Sequence, residues 1–389
     1  MPTNEKQRTA LYVSVGRELS HYDLLVDTAA LVRRSAVTLP FNVQYVWPHP
    51  AAPYLYAACS NGAPGLSGDS HALVALRIDD SGALSTHGAP VALPSRPIHI
   101  TLDGTGRHAL IAYNHPSSLT VHRIEADGAI GAEVRQRAPL DTGIYAHQVK
   151  VAPSNKTVIV VARGNDAKGS SPEDPGALKV FAYDNGQLTP LASVAPGEGY
   201  GFGPRHIDFH PSKPWVYASL ERQNTLQMYR ADGASLEPCP AFTRDTLADT
   251  PGMKPRQRPG TIHVHPNGRF VYVANRASGT ALSAGRPVFI GGENNIAVYA
   301  LDPQSGEPTA IQHADTRGIV PRTFALDKTG RVLVAANSVP ILVAEGASVK
   351  NVSPSLAVFR VGDDGKLDYV QKYDIDVGDE TMFWMGIVS

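Results

Sequence analysis

Apolar residues along this chain come in short runs, rich in Val, Ile, Tyr and Ala and bounded by Gly, Pro, Asp and Asn. Apolar and polar positions alternate within many of them, as in a half-buried β-strand, and long helical periodicity is hard to find. The runs also recur: WPHPAAPYLYAACSNG (47–62), TLDGTGRHALIAYN (101–114), VAPSNKTVIVVARG (151–164), FHPSKPWVYASLER (209–222), VHPNGRFVYVANR (264–276) and ALDKTGRVLVAAN (325–337). Each holds a Pro or Asp, a short turn and then an alternating strand. With Pro50, Asp103, Pro153, Pro211, Pro266 and Asp327 as anchors, the intervals are 53, 50, 58, 55 and 61 residues. A period near 50 with several strands per period predicts a β-propeller rather than a helical solenoid.

Each unit reads as inner strand, tight turn, second strand, then two outer strands. PRHIDF–HPSKP–WVYASLE is the first hairpin of one unit, and LQMYRADGASLEP is its outer pair around a DG turn. VALRIDDSGALST, VHRIEADGAIGAE, VFAYDNGQLTP, VYALDPQSGEPT and VFRVGDDGKLDYV repeat that outer signature. Six units are complete. LYVSVGR near the start and FWMGIVS at the end are left over, and together they predict a seventh blade closed by strands from both termini. Closure removes the long open edge that is the usual liability of a sheet. The expected fold is therefore all-β: a seven-bladed propeller forming a single domain over 1–389, with residues 1–8 as a flexible tail.

In such a blade the start of strand one and the end of strand two lie on the same face. Strand-one starts carry His99, His147, Arg205, His206, His263 and Arg322. Strand-two ends carry Asn114, Arg163, Glu221, Asn275 with Arg276, and Asn337. Distant stretches of chain thus deliver polar groups to one rim of one central channel, where bare burial of charge costs several kcal/mol. Taken singly, a strand histidine is usually a core residue, and Arg205–Glu221 could be a structural ion pair. His210 and His265, beside the inner turns, keep that structural reading. The convergence points to a ligand. With Arg276 included, the positive charge exceeds what Glu221 neutralises, which suits a carboxylate or phosphate. The loops SNGAPGLSGDSH, GNDAKGSSPEDPG, ASGTALSAGRPVFIGGEN and NSVPILVAEGASVKNVSPS follow strand two and rise over that rim, as binding loops or as tolerated insertions.

Composition narrows the partners. The chain has 389 residues, 42% hydrophobic, with a net charge of −1 and no basic run, which argues against nucleic acid and anionic membrane. Cys59 and Cys239 have no metal-ligand spacing and require no disulfide. One carboxylate among several arginines is a poor cation site, so no metal or other cofactor is expected. No apolar run approaches the ~20 residues of a membrane span. The polar start lacks signal-peptide features. A soluble, cytoplasmic protein is expected, with its oligomeric state open.

GFGPRHIDFHPSKPWVYASLE resembles the GPRH…HP…Y…NE stretch of the seven-bladed propeller lactonase family. That family includes a bacterial 6-phosphogluconolactonase and the fungal 3-carboxy-cis,cis-muconate lactonizing enzyme. PIHITLDGTGRHALIAYN, AHQVKVAPSNKTVIV and TIHVHPNGRFVYVANR match further blades in order, so the resemblance covers nearly the whole chain. The family's active-site histidine falls on His147, its two arginines on Arg205 and Arg276, and its carboxylate on Glu221. Departures are Ser219, where the family often has Asn, and the long loops. The resemblance implies metal-independent hydrolysis of a small anionic lactone, of the 6-phosphogluconolactone type or a related carboxylated one. Either His147 or Glu221 would be the general base and the other an acid or orienter. Arg205 and Arg276 would hold the acidic group or the developing oxyanion. His99, His206, His263, Asn114, Arg163, Asn275, Arg322 and Asn337 are the expected substrate contacts. No GxSxG elbow offers a serine nucleophile. Three alternatives stand: a muconate-type cycloisomerase running the reaction in reverse, a metal-dependent sugar lactonase, and a non-catalytic scaffold. An uncharged channel mouth would favour the scaffold.

Overall fold

The computed structural model describes residues 9–233, 235–346 and 348–388; the tail expected at 1–8 lies outside them. Each repeat forms an antiparallel sheet, and seven such sheets surround a central channel. The chain closes as the two leftover segments predict. Met382–Val388 is innermost in blade one and pairs with Thr9–Val15, with Glu18–Leu25 and Ala30–Thr38 outside them. The N-terminal part supplies three strands where the repeat pattern revealed one, because 18–38 carries no Pro or Asp anchor of the recurring kind. Inner strands of blades two to seven are Asn42–Pro48, Pro97–Leu102, Ala146–Val151, Pro204–Phe209, Gln257–Val264 and Pro321–Leu326. They touch in this order around the ring, and the last touches blade one.

The recurring residues are blade-to-blade staples. His210 Nε2 lies 2.9 Å from the Gly268 carbonyl of the next blade, while its Nδ1 accepts the Ser212 and Lys213 amides. His265 does the same toward Gly330. Tyr12, Tyr56, Tyr217 and Tyr272 donate to the carbonyls of Gly82, Gly128, Gly306 and Gly365, each in the following blade's outer hairpin. Between neighbouring sheets Val, Leu and Ala pack as separate cores, such as Val158, Val160 and Phe181 against Leu110 and Val121.

One irregularity positions the chemistry. Every inner strand slips register by an extra residue near its start. In blade five Pro204 faces Leu220 but His206 faces Ser219, so Arg205 is unpaired. The corresponding residues are Phe383, Gln44, Ile98, His147 and Arg322, with Gly260 and Thr261 at this place in blade six. Such a β-bulge breaks the strict alternation of side chains and re-aims one of them. Arg205 and His206 are consecutive, yet both are buried against the channel groups.

The long loops of blades six and seven combine into one extra sheet: Thr280–Ser283, Arg286–Phe289, Ile341–Glu345 and Ser348–Val352, joined by a parallel bridge Val288–Leu342. Phe289, Val343 and Val352 pack it onto Ile319 and Val320, just before the blade-seven inner strand.

Candidate active site

Three bulge residues define the mouth. His147, Arg205 and Arg322 each follow, two positions on, a residue with left-handed backbone: Tyr145 (φ 61°), Gly203 (φ 51°) and Val320 (φ 58°). Glycine takes that conformation freely, whereas an aromatic or β-branched residue is strained there by about 1–3 kcal/mol. The chain is thus bent sharply immediately before each of the three side chains.

Glu221 follows the second strand of blade five, Trp215–Leu220, and is buried. Arg276 Nη2 donates to its Oε1 at 2.6 Å, and Arg163 Nη1 donates to Oε2 at 3.3 Å. Arg205 Nε lies 2.6 Å from Oε1, an ion pair without the alignment of a directed hydrogen bond. Arg258 Nη1 is 3.9 Å from Oε2. Burial would raise the Glu221 pKa, but Arg205, Arg276, Arg163 and Arg258 together hold it down to about 2. Around this carboxylate, Arg205 Nη1, Arg276 Nε and Arg163 Nε are buried without a hydrogen-bond partner.

Arg276 reaches Glu221 because position 260 is glycine: a Cβ there would stand 2.8 Å from Arg276 Nε. Ser219, the departure from the family pattern, fixes that glycine by donating to its carbonyl at 2.7 Å. The loop after Arg163 joins the cluster as well. Asp166 pairs with Arg163, Arg222 and Arg258, and Glu173 pairs with Arg222.

His147 stacks on Tyr145 with ring centres 6.2 Å apart, and the Arg163 guanidinium carbon lies 4.5 Å from the Tyr145 ring centre. Burial, then repulsion from Arg205 and Arg163, pushes the His147 pKa well below 6.5, so its imidazole is neutral at physiological pH. Its Nδ1 has no partner. His206 and His99 lie one layer down the channel, at ring distances of 5.1 Å (His147 to His206) and 6.2 Å (His206 to His99). Burial lowers both of their pKa values strongly, with Arg205 contributing to each and Lys150 to His99.

The structure brings His147, Glu221, Arg205, Arg276, Arg163 and Arg322 to one mouth, with His206 and His99 beneath. Three expected contacts go elsewhere. His263 is one layer too deep in the repeat: it is 34% exposed beside Asp208, at 3.6 Å, with Lys150 Nζ 2.7 Å from the same carboxylate. Asn275 is turned outward to the Thr246 carbonyl and Asn295, and Asn337 to the Thr316 carbonyl and Ser355. Both clamp an inter-blade loop, a structural use of a strand-end amide. Asn114 is half-buried at its strand end, and among the described residues no contact ties it to the arginines. Arg96, Arg258, Gln44 and Tyr145 were missed. They precede the bulges or fill unremarkable bulge positions, and only the register of the inner strands reveals them.

Among the described residues no group of three His, Cys, Asp or Glu is gathered as metal ligands, and no helix is long and apolar enough to cross a membrane. A family described as lactonase, 7-bladed β-propeller, matches residues 9–340. The chain belongs to this lactonase family. A 6-phosphogluconolactonase of Serratia proteamaculans is 24% identical over 377 residues, 95% of each chain. One from Pectobacterium carotovorum is 27% identical over 267 residues, 68% of this chain and 70% of its own. The solved periplasmic gluconolactonase of Pseudomonas aeruginosa superposes with a TM-score of 0.69 at 20% identity, covering 98% of this chain and 99% of that one, a likeness of fold.

Proposed function

We propose that this propeller lactonase hydrolyses a small phosphorylated sugar-acid lactone, of the 6-phosphogluconolactone type, without a metal ion. The observation that carries the reading is the pairing of a neutral His147 with arginines whose buried N–H groups lack partners. The relatives named 6-phosphogluconolactonase support the substrate class.

Of the two candidate bases, His147 suits the role better. Glu221 is a carboxylate held by several guanidiniums, so its basicity is spent on them. In the proposed reaction His147 takes a proton from water as the oxygen adds to the lactone carbonyl. Arg205 and Arg276 donate to the oxyanion that forms. The ring C–O bond then breaks, and the imidazolium returns its proton to the leaving alkoxide. One water is added and one ester opened, leaving a hydroxy acid. Glu221 acts as a positioning residue that fixes the arginines.

The arginines that keep His147 neutral also oppose its imidazolium. A bound dianion offsets that repulsion, so substrate should raise the His147 pKa toward the operating range. The test is a pH-stat assay with EDTA on phosphorylated, neutral and muconate-derived lactones. Ring opening of the phosphorylated lactone well above the spontaneous rate supports the reading. Loss of turnover in EDTA, restored by calcium or zinc, would transfer the chemistry to a metal.

A further inference from the structure

The mouth has two unlike arcs. On blades four to six, Arg163, Arg205, Arg258 and Arg276 surround Glu221. On blades seven, one, two and three stand Arg322, Phe383, Gln44 and Arg96. The first three are bulge residues of consecutive blades, and Arg96 directly precedes the inner strand of blade three.

Here, among the described residues, the close partners of the cations are neutral. The Arg322 guanidinium carbon sits 3.7 Å from the Phe383 ring centre, and its Nε donates to the Phe383 carbonyl at 3.0 Å. Arg96 is only 6% exposed; its guanidinium carbon is 5.9 Å from the same ring centre, and its Nε donates to Gln44 Oε1 at 2.9 Å. Among the described residues no carboxylate forms an ion pair with either. Burial opposes the charge on both; on Arg322 the repulsion of Arg276 and Arg96 adds to it, and Glu221, too far for an ion pair, offsets only part. A buried and a half-buried guanidinium packed on one aromatic ring with only neutral hydrogen-bond acceptors are unfavourable in the empty protein. They become favourable when an anion arrives.

We propose that Arg96 and Arg322 form the pocket for the substrate's phosphoryl group, and that the lactone ring lies across the mouth with its carbonyl at Arg205 and His147. This rests on the lactonase reading above. It divides the labour: arginines that share Glu221 face the carbonyl, and the two with no carboxylate in an ion pair take the charge of the phosphoryl group. A phosphoryl group matches the second arc better than a carboxylate, because three oxygens and up to two charges meet two forked donors.

The experiment compares wild type, R96Q and R322Q on 6-phosphogluconolactone and on glucono-1,5-lactone. Calorimetric titration with inorganic phosphate runs in parallel. For the phosphorylated lactone KM should rise roughly ten- to a hundredfold with little change in kcat, since this contact is present before and during the reaction. The preference for the phosphorylated over the neutral lactone should fall by the same factor, and phosphate binding should weaken in both variants. R96K and R322K, which keep the charge, stand in if a glutamine variant does not fold; the lost fork should still raise KM. Equal losses on both lactones, or a wild-type KM and phosphate affinity in all variants, would overturn the pocket. If the wild-type protein opens neither lactone, the lactonase reading fails, and phosphate titration alone then decides the pocket.

Discussion

The same inner strands build both ends of the channel, yet the ends handle charge differently. At the far end Lys150 meets Asp208 at 2.7 Å, with His263 at 3.6 Å and the Val264 amide donating to the same carboxylate. Burial would raise the Asp208 pKa, but Lys150 and His263 hold it below the usual carboxylate range. One cation and one anion answer each other, and Lys150 also lies 5.5 Å from the Trp47 ring centre. At the mouth, Glu221 faces four arginines, and Arg96 and Arg322 have no carboxylate among the described residues. A chain of net charge −1 therefore holds a local surplus of positive charge at one end. The balanced end is a structural solution; the surplus at the other end is what the proposed anionic substrate would offset.

Replacing the central carboxylate at each end should separate these roles most strongly. Glu221→Ala leaves buried guanidiniums unpaired, at a cost of about 3–5 kcal/mol, and releases the arginines from the carbonyl position. Activity should fall by more than a hundredfold, together with the melting temperature. Asp208→Asn should lower the melting temperature comparably while kcat/KM stays near wild type. A kinetic defect in Asp208→Asn equal to that of Glu221→Ala would erase the distinction between the ends.

A smaller effect tests how Arg276 is placed. Gly260→Ala puts a methyl 2.8 Å from Arg276 Nε, and Arg276→Lys keeps the charge but removes the fork. Each should lower kcat/KM roughly tenfold or more, as expected for one charge-assisted contact. Thermal melting should show less than about 2 kcal/mol of destabilisation. Wild-type rates in both would remove Arg276 from the chemistry.

Acid should act on the mouth before the far end. His99, His147 and His206 have folded pKa values well below 6.5, so unfolding takes up protons as pH falls. Their contribution to stability is complete above pH 6.5 and is lost progressively below it. Glu221, at about 2 against an ordinary 4.5, adds a second loss between pH 4.5 and 2. Melting temperature should decline from pH 7 to 5, less steeply in His99→Phe. The acid limb of kcat/KM should lie below pH 6.5, with the limb of kcat at higher pH because bound phosphate favours the imidazolium. Coincident limbs would remove the proposed coupling.

The architecture is legible because a Pro or Asp, a short turn and an alternating strand recur about every 50–60 residues; in blades five and six the same repeat carries the staples, a histidine in HP and a tyrosine in strand two that reach the next blade. Closure by both termini followed from two strands left without a unit. The mouth was legible where a bulge residue is charged, as at Arg205 and Arg322. His263 misled because blade six has Gly260 and Thr261 at the bulge, so the first conspicuous polar residue of TIHVHP stands a layer deeper. Asn275 and Asn337 misled because a strand end on the correct face does not fix which way its amide turns. Arg96 was invisible to strand counting, as it lies before its strand. The long loops divided: 164–176 reaches the arginines through Asp166 and Glu173, whereas the loops of blades six and seven pair with each other.

Arg205→Lys, assayed by pH-stat on 6-phosphogluconolactone in EDTA beside the wild-type protein, tests the central claim most directly. The account predicts that wild type opens the lactone far above the spontaneous rate. It predicts that the lysine variant, folded and melting within a few degrees of wild type, loses roughly ten- to a hundredfold in kcat/KM. A wild-type rate in Arg205→Lys, or a spontaneous rate in the wild-type protein, would contradict it.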